Sequence, residues 1–508
     1  MSKVSALARL EALESMKALP ITQFRHRRLS DKPLVVIPLV MAGEAGSPLA
    51  VMIGQTKRSP RLIIVGQPRN PDQRFVFAAE LGDVVMDYIN DHRLNRREIH
   101  SRSGESRSRF TGAPQVLVPN RGGIKALVDL GRTCRFRKTT GDFPVSAVVP
   151  ELGRWLTFLT DSAEQAGTSM LLALTDLLTE HWATGQSTLE DQNLASVMAW
   201  IAPPTGVSVE QALLDAENPV IWPPAGPSTS PEFDNQQLHS AIKGFDAARE
   251  SGDTAAFNAA QQELRDLIGD QIKPTWRMMW DAIALLHGVP EAPSAAKRFD
   301  ADCASFTDFS DYQETGAALP QRARDDAVGA ARRLSRLERS IEAFEADMAF
   351  DDPFVLADRR SIGEAFAGTV EAVEPDRVVT SDKNRPILRP LIAIRTLDPT
   401  RLADGTQLIS PTMPVGHKAK IVGTVLDEDS TLVTVEVVGG MGRPGKPTIG
   451  SIPELGQIVA YLPDPGWRAT PTFPASGTMP WTHTDTTAAD LDISTSATAS
   501  TEEWGDED

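Results

Sequence analysis

The sequence pattern closest to a known catalytic motif is Gly440–Lys446, which has the G-x-x-x-x-G-K spacing of a phosphate-binding loop. That chemistry needs a Ser or Thr after the lysine to bind magnesium, and a helix whose N-terminal amides face the phosphates. Here Pro447 follows the lysine, and the next residues are too rich in Gly and Pro to begin a long helix. We therefore interpret the segment as a loop between strands, in which Arg443 and Lys446 are available to contact a polyanion.

Histidine and cysteine residues show no spacing typical of a metal site. The sequence has eight histidines and two isolated cysteines, and it predicts neither a metal nor a cofactor. Neighbouring arginines would favour the thiolate of Cys134 if it were exposed, but a buried cysteine in a strand is the expected state. Glu190 or Asp191 could act as a general acid or base beside His181. We instead expect Glu190 to form a capping box with Ser187, and no catalytic residue is assigned.

The strongest functional signal is the stretch from His92 to Lys138, which contains 12 Lys and Arg residues against 3 Asp and Glu residues. Its densest part, residues 92–110, has Ser and Gly between the arginines, which predicts a mobile loop or arm able to bind phosphates. Only Phe110 and Phe136 are aromatic in this stretch, so base stacking is weakly supported. The candidate nucleic-acid-binding residues are Arg93, Arg96, Arg97, Arg102, Arg107, Arg109, Arg135, Arg137 and Lys138.

The basic character of this stretch is also compatible with two origins that involve no nucleic acid. Arg outnumbers Lys by 38 to 13 over the whole chain, which the base composition of the genome would also produce. In addition, residues 1–139 carry a net charge of +12 and residues 140–360 a net charge of −19. The arm could therefore pair with the protein's own acidic region instead of a polyanion.

The elements that must position these residues begin with a basic mixed α/β domain, predicted over residues 1–148. Short apolar, β-branched runs bounded by Gly, Pro or charged residues indicate strands. Residues 74–90 have the period of a helix, and a second helix is predicted after its cap Asn120, ending at Gly131. Alternating strands and helices predict a sheet covered in two or three layers. The predicted strands are residues 33–40, 49–53, 61–65, 115–118 and 135–138.

Residues 149–350 are expected to form an all-α domain. Segments 151–166 and 169–183 are predicted as helices from their length and apolar period. A loop rich in Pro and Ser at 218–235 separates two helical groups. The last predicted helix, 320–349, has heptad-like apolar spacing that is too short for a coiled coil.

The C-terminal part changes to β structure and then to low complexity. Residues 361–468 contain five or six short strand-like segments, which predicts a small antiparallel β-barrel of OB-fold or SH3 size. Residues 469–508 are expected to form a disordered acidic tail, because residues 471–508 carry eight Asp and Glu and no Lys or Arg. We therefore expect an α+β multidomain chain with an α/β domain, a helical domain, a barrel and a tail.

Length and composition favour a multidomain cytoplasmic protein. A chain of 508 residues corresponds to roughly three domains. With only two cysteines, it does not depend on disulfides, which favours a reducing compartment. The longest apolar stretch, residues 33–43, is about half of the roughly 20 residues that a transmembrane helix needs, so membrane contact is not expected.

The leading functional hypothesis is a non-catalytic adaptor or accessory subunit of a cytosolic, prokaryotic-type complex that acts on nucleic acid. In this hypothesis the basic arm contacts phosphates, and one or more proteins are further partners. Two alternatives remain open. The first is a protein-only scaffold whose arm is paired within the molecule. The second is an enzyme whose active site is assembled from dispersed residues of the N-terminal α/β domain.

Overall fold

Residues 3–134 alternate strands with helices. The computed structural model of the chain describes residues 3–42, 47–100, 106–223, 227–316, 318–381, 383–467 and 471–474. The first elements are α1 (Lys3–Ser15), β1 (Leu19–Pro20), β2 (Leu34–Val40), β3 (Pro48–Gly54), β4 (Arg61–Ile64), α2 (Pro71–His92), β5 (Arg96–His100), β6 (Ser106–Phe110), β7 (Val116–Val118) and α3 (Arg121–Cys134). Asn120 caps α3 by accepting from the Gly123 amide, as the sequence predicts.

The next part of the chain is dominated by helices. Its elements are α4 (Val148–Ala163), β8 (Leu171–Ala173), α5 (Leu174–His181), β9 (Trp182–Ala183), α6 (Leu194–Ile201), α7 (Val209–Glu217), α8 (Pro231–Phe233), α9 (His239–Ser251), α10 (Thr254–His287), α11 (Ala295–Glu314), α12 (Ala327–Asp351) and α13 (Pro353–Ser361). Among the described residues, no helix is both long and apolar enough to cross a membrane.

A five-stranded sheet with the order β4-β3-β2-β7-β8 lies at the centre of this region. β2, β3 and β4 form an antiparallel meander, whereas β7 is parallel to β2 and β8 is parallel to β7. Both faces of the sheet are buried. Val36 and Ile53 pack with α2, α3, α4 and α11 on one face, while Ile37 and Met52 pack with α5, α6, α9 and α10 on the other. The prediction of mixed α/β structure is confirmed. Residues 149–350, however, were predicted to be a separate all-α domain, and they supply strand β8 of this sheet and most of the helices that cover it.

Three local predictions are wrong. Residues 169–183 are not one helix, because Leu171–Ala173 forms β8, and a short strand buried on both faces lacks the alternation that identifies strands. Residues 135–138 are not a strand, because Arg135 continues the helical backbone of α3 and donates to the Gly131 carbonyl. Residues 92–110 are not a loop, because their described part forms the antiparallel pair β5–β6.

The predicted barrel is confirmed. Its elements are β10 (Phe366–Glu374), β11 (Val378–Thr380), β12 (Pro386–Leu388), β13 (Leu391–Thr396), β14 (Gln407–Ile409), β15 (Lys418–Leu426), β16 (Thr431–Gly439), β17 (Gly442–Arg443), β18 (Lys446–Pro447) and β19 (Ile458–Pro463). Six of these strands close in the order β10-β13-β16-β15-β14-β19 around a core that includes Phe366, Ile392, Val435 and Tyr461. The predicted disordered tail lies outside the described residues from residue 475 onward.

A buried carboxylate joins the N-terminal segment to the helix that leads into the barrel. Asp352 caps α13 by accepting from the Phe354 amide at 2.8 Å, and its other oxygen accepts from the amides of Gln23 at 2.6 Å and Phe24 at 3.3 Å. The Nε2 atom of buried His26 lies 3.6 Å from the same oxygen. Burial acts to raise the pKa of Asp352, but His26 and the backbone amides outweigh it, so that the pKa is lowered.

Helices α3 and α4 approach so closely that a glycine is required between them. A Cβ atom on Gly153 of α4 would lie 2.2 Å from the backbone nitrogen of Arg135 and 2.6 Å from its Cα. These distances are shorter than any real contact, and both atoms belong to backbone that cannot move by itself. Gly244 of α9 is a matched contrast, since a Cβ atom there would meet nothing within 4 Å.

Gly153→Ala should therefore destabilise the protein, whereas Gly244→Ala should not. Overpacking of this kind costs about 1–3 kcal/mol, while Ala in place of an exposed helical Gly gains up to about 1 kcal/mol. Thermal unfolding of both variants measures the difference. A melting temperature for Gly153→Ala at or above that of the unsubstituted chain would show that α3 and α4 can separate without cost.

Candidate polyanion-binding and partner-binding surfaces

The basic hairpin, which consists of the paired strands β5 and β6, packs on helix α11. Arg96 pairs with Phe110 across the hairpin, and its guanidinium lies 4.0 Å from the centre of the Phe110 ring. Phe110 is buried in the core against Phe306 of α11, and its amide donates to Thr307 Oγ1 at 3.0 Å. The hairpin is therefore part of the folded body of the protein.

Three of the candidate arginines make ion pairs with α11. Arg93 lies 3.1 Å from Glu314, Arg96 lies 2.5 Å from Asp311, and Arg97 lies 2.6 Å from Asp300. Pairs that are half exposed, such as the last, contribute little to stability. They do, however, neutralise these arginines within the molecule, which is the arrangement expected for the scaffold hypothesis.

Arg107 and Arg109 differ from these three. Arg97 pairs with Arg109 and Ile99 with Arg107, so all four side chains share one face of the hairpin. On this face, Asp300 forms an ion pair with Arg97. Neither Arg107 nor Arg109 has an ion-pair partner in the described part of the chain. Arg102 lies outside the described residues.

The remaining candidates, Arg135, Arg137 and Lys138, lie at the end of α3. Arg135 is only 6% exposed and donates to Thr157 Oγ1 at 3.2 Å and to the Arg322 carbonyl at 3.0 Å. Burial lowers its pKa. Arg137 is exposed and stacks on Phe75 at 4.6 Å, and Lys138 is exposed. The eight candidates that the structure describes thus occupy different environments, and the buried guanidinium of Arg135 is poorly placed for a phosphate.

One end of the barrel carries a second group of cations. The strand register places the end of β10, the start of β13 and the end of β16 at the same end of the barrel. The hairpins β11–β12 and β17–β18 therefore both project from this end. There, β12 lies against β17. We call this the cationic end. Its four exposed cations have no carboxylate partner among the residues that the structure describes: Lys383, Arg385, Arg443 and Lys446.

The sequence singled out Arg443 and Lys446 in the phosphate-loop pattern, and the structure explains the glycines there. Gly442 and Gly445 have φ angles of +86° and +75°, which side-chain-bearing residues rarely adopt, and together they build a tight hairpin. The described residues directly after the lysine continue as a strand and turns, not as a helix. The segment lies between barrel strands β16 and β19, as predicted, but it forms the small hairpin β17–β18 and not an irregular loop. Lys383 and Arg385 were missed, since nothing in the sequence reveals that their hairpin lies beside the other.

The opposite end of the barrel carries exposed aliphatic side chains beside the acidic turn 427–429. Thr396, Thr431 and Leu426 lie in register across β13, β16 and β15, which places Leu397 and Leu426 at this end. Leu397 is 82% exposed and Leu426 is 84% exposed, and Val425 beside them is also exposed. We call this the aliphatic end. These neighbouring side chains leave apolar surface in contact with solvent.

The cluster around His181 is occupied by the fold. Thr22 Oγ1 lies 2.5 Å from His181 Nδ1, and burial lowers the pKa of His181. Asp191 is buried and accepts from Arg9 and Thr184, both at 2.8 Å. Glu190 is exposed and forms the predicted capping box, since its carboxylate accepts from the amide of Ser187 at 2.6 Å and its own amide donates to the Ser187 hydroxyl. The box opens a short 3-10 turn before α6.

Neither cysteine is in a reactive state. Cys134 and Cys303 are both buried, and burial raises their thiol pKa values to about 12 and about 11. Cys134 ends a helix, so its predicted burial holds but its predicted strand is wrong. In the described part of the chain, no three His, Cys, Asp or Glu side chains are grouped so that they could hold a metal ion.

A cavity of about 170 Å³ lies at the N-terminal ends of strands β2 and β7. Its wall includes Asp302, which accepts from Thr168 Oγ1 at 2.9 Å and from the Ser169 amide at 2.8 Å. It also includes His92, whose Nδ1 lies 2.9 Å from the Tyr88 carbonyl oxygen. One carboxylate and one imidazole, both engaged by the fold, give little support to the enzyme hypothesis. The sequence did not single out Asp302.

Comparison with known proteins gives no family assignment. The chain matches no protein-family model and no curated protein sequence at a significant level. What the hairpin and the two ends of the barrel bind must therefore follow from their own geometry and charge.

Asp302 should make stability fall as pH rises. Burial raises its pKa to about 6, above its ordinary value of 3.8. Between about pH 4 and pH 6 the unfolded chain therefore loses this proton while the folded chain keeps it. The free energy of unfolding falls over that range and stays lower at higher pH. Asp302→Asn can still donate to Thr168 and accept from Ser169. It should therefore be more stable relative to the unsubstituted chain at about pH 8 than at about pH 4.5, by roughly 1–2 kcal/mol.

Denaturant unfolding at the two pH values measures this difference. Asp308→Asn, an exposed position on the same helix, is the control and should give the same small difference at both. If the stability difference for Asp302→Asn did not depend on pH, the buried carboxyl would not be the titrating group.

Proposed function

We propose that the chain is a non-catalytic adaptor that holds an anionic ligand, the phosphate backbone of a nucleic acid, at the cationic end of its barrel. The observation that carries the proposal is the group of four exposed cations on two neighbouring hairpins, which lack carboxylate partners among the described residues. Cations in this state gain most from phosphates, because binding displaces only solvent and counterions. Arg107 and Arg109 of the basic hairpin are a second, smaller set of the same kind.

The first arginines of the basic hairpin are less suited to this role. Arg93, Arg96 and Arg97 would each have to exchange a carboxylate of α11 for a phosphate, which offsets most of the gain. The proposal therefore keeps the class of ligand expected from the sequence and moves its main contact from the hairpin to the barrel.

The contact is expected to be independent of base sequence. Phe366 of β10 and Tyr461 of β19 are aromatic, but both rings are buried in the barrel core. Without an exposed ring in its described part, the cationic end offers no surface on which bases could stack. Recognition would then rest on phosphate neutralisation, and four such contacts correspond to roughly a hundredfold loss of affinity between about 50 and 200 mM salt.

The two ends of one barrel would allow an adaptor to hold two partners at once. An anionic ligand at the cationic end leaves Leu397, Val425 and Leu426 free at the opposite end. A partner protein that covers these side chains would remove exposed apolar surface from water, at roughly 25 cal/mol for each Å² covered.

Reversing the charge of two barrel cations should abolish nucleic-acid binding. We expect Arg443→Glu with Lys446→Glu to weaken binding of a short labelled duplex and a single strand by more than about tenfold, because two attractive contacts become repulsive. Fluorescence anisotropy over a salt series measures this loss. Both positions are exposed, so the melting temperature should stay unchanged.

The matched control reverses Arg96 and Arg97, which are paired within the molecule. It should change affinity by less than about twofold. Loss of binding in this control with full binding by the barrel variant would place the contact on the hairpin and reject the barrel proposal.

A protein-only scaffold is the second candidate, and the ion pairs between the basic hairpin and α11 favour it. In that case the aliphatic end carries the function and the cationic end does not. Affinity purification from the native host, with nuclease treatment, separates the two candidates. A partner that is lost with Leu426→Asp but kept with Arg443→Glu and Lys446→Glu would support the scaffold, and the reverse pattern would exclude it.

A further inference from the structure

A basic cleft of about 230 Å³ lies between the end of α3, the middle of α4 and the segment that precedes α12. Its charged lining has a surplus of cations. The arginines are Arg132, Arg135, Arg322, Arg324 and Arg333, and the carboxylates are Asp161, Glu164 and Asp325. We call this the arginine cleft.

All three carboxylates of the cleft form ion pairs with one arginine, Arg333. Arg333 lies 2.6 Å from Glu164, 3.4 Å from Asp161 and 3.6 Å from Asp325. Arg132 and Arg324 are exposed and have no ion-pair partner among the described residues. The cleft can therefore accept further negative charge.

A buried donor points to the same conclusion. Arg135 lies almost fully buried at the cleft wall, where its other two nitrogens donate to Thr157 and to the Arg322 carbonyl. Its Nε atom has no hydrogen-bond partner in the part of the chain that the structure describes. A buried, unpaired N–H of a charged group is costly, and an anion in the cleft would lower that cost.

The chain leaving the barrel runs towards this cleft. Residues 462–465, at the end of β19, lie against Ala346 and Ala349 in the C-terminal half of α12. Further along, the Pro474 carbonyl accepts from Arg332 at 2.9 Å, near the N-terminus of the same helix. Pro474 thus lies nearer the N-terminus of α12 than residues 462–465 do, and the arginine cleft lies at that N-terminal end.

The segment that comes next has the complementary charge. Residues 475–508 carry eight Asp and Glu and no Lys or Arg. Extended chain spans about 3.3 Å per residue, so 34 residues reach the cleft easily. Tethering at Pro474 holds these carboxylates at an effective concentration on the order of millimolar, so even weak binding would be populated.

We propose that the arginine cleft is a docking site for carboxylates of this chain's own C-terminal segment, residues 475–508. Arg132 and Arg324 bind the carboxylates as exposed cations, and Arg135 contributes its positive charge from the wall of the cleft. The docked segment occupies a site that another acidic or phosphorylated ligand would need. This proposal does not depend on what the barrel binds.

Crosslinking within the full chain tests the proposal. Gly505→Cys places a thiol in the acidic segment, and Ala323→Cys places one in the cleft lining without removing a cation. Both native cysteines are buried and should react slowly. A short bismaleimide should join residues 505 and 323 about tenfold faster with the native segment than with one whose eight acids are replaced by Asn and Gln. High salt should remove the difference.

Two further cysteine positions and one charge reversal serve as controls for where the segment docks. Ser108→Cys on the basic hairpin and Ile449→Cys at the cationic end report the same segment at other basic surfaces, and there the acids should give no comparable increase. Arg132→Glu with Arg324→Glu should abolish the increase at Ala323→Cys. The proposal would be overturned if the acids did not raise the crosslinking rate at position 323, or raised it more at position 449 or 108. It would also be overturned if the charge reversal left the rate at position 323 unchanged.

Discussion

The rest of the structure depends on the need to cover both faces of one apolar sheet. Strands β2 and β3 are buried along almost their whole length on both sides, as expected for strands that lie between two helical layers. The helices of the first 134 residues cannot cover two faces. One layer therefore recruits α4 and α11, and the other is built from α5, α6, α9 and α10. This requirement brings distant parts of the chain together and places the basic hairpin against α11.

The same packing resolves the charge asymmetry of the chain. Covering the basic front third with acidic helices places arginines of the first region opposite carboxylates of the second. Some of these pairs, such as Arg9–Asp191 and Arg27–Glu180, are partly or largely buried, whereas others, such as Arg97–Asp300, are exposed and contribute little to stability individually. Together they cancel much of the charge that the sequence displays. Among the described residues, the Arg and Lys pairs that cross this boundary are Arg9–Asp191, Arg25–Glu291, Arg27–Glu180, Arg28–Glu291, Lys57–Asp281, Arg93–Glu314, Arg96–Asp311, Arg97–Asp300 and Arg121–Asp176. Net charge along a sequence is therefore a poor guide to an anion site, and the cations left unpaired after folding are a better one.

The sequence predicted what local patterns control. Alternating residues identified the barrel strands, and Asn120 marked the start of α3 through its cap. Prediction from the sequence failed where a segment's structure depends on an element that is distant in the chain. Residues 171–173 are as apolar as a buried helix, and only their place beside β7 makes them a strand. The basic hairpin was missed because its charge dominated the interpretation, although Phe110 marks the face that enters the core. The pairing of the two barrel hairpins, and of His26 with Asp352, has no local signal at all.

A polyanion that reached the arginine cleft would compete with the acidic segment that is proposed to dock there. An acidic segment that visits unpaired cations already replaces part of their counterion atmosphere. A polyanion that then binds releases the segment instead of salt ions, and released salt ions are what make the affinity of a polyanion fall with ionic strength. The segment would thus lower affinity most in dilute salt, where its own pairing is least screened. Its effect would fade as salt rises, which would flatten the salt dependence compared with that of a chain lacking the segment. A shallow slope therefore need not mean few phosphate contacts in a protein that carries its own acidic competitor.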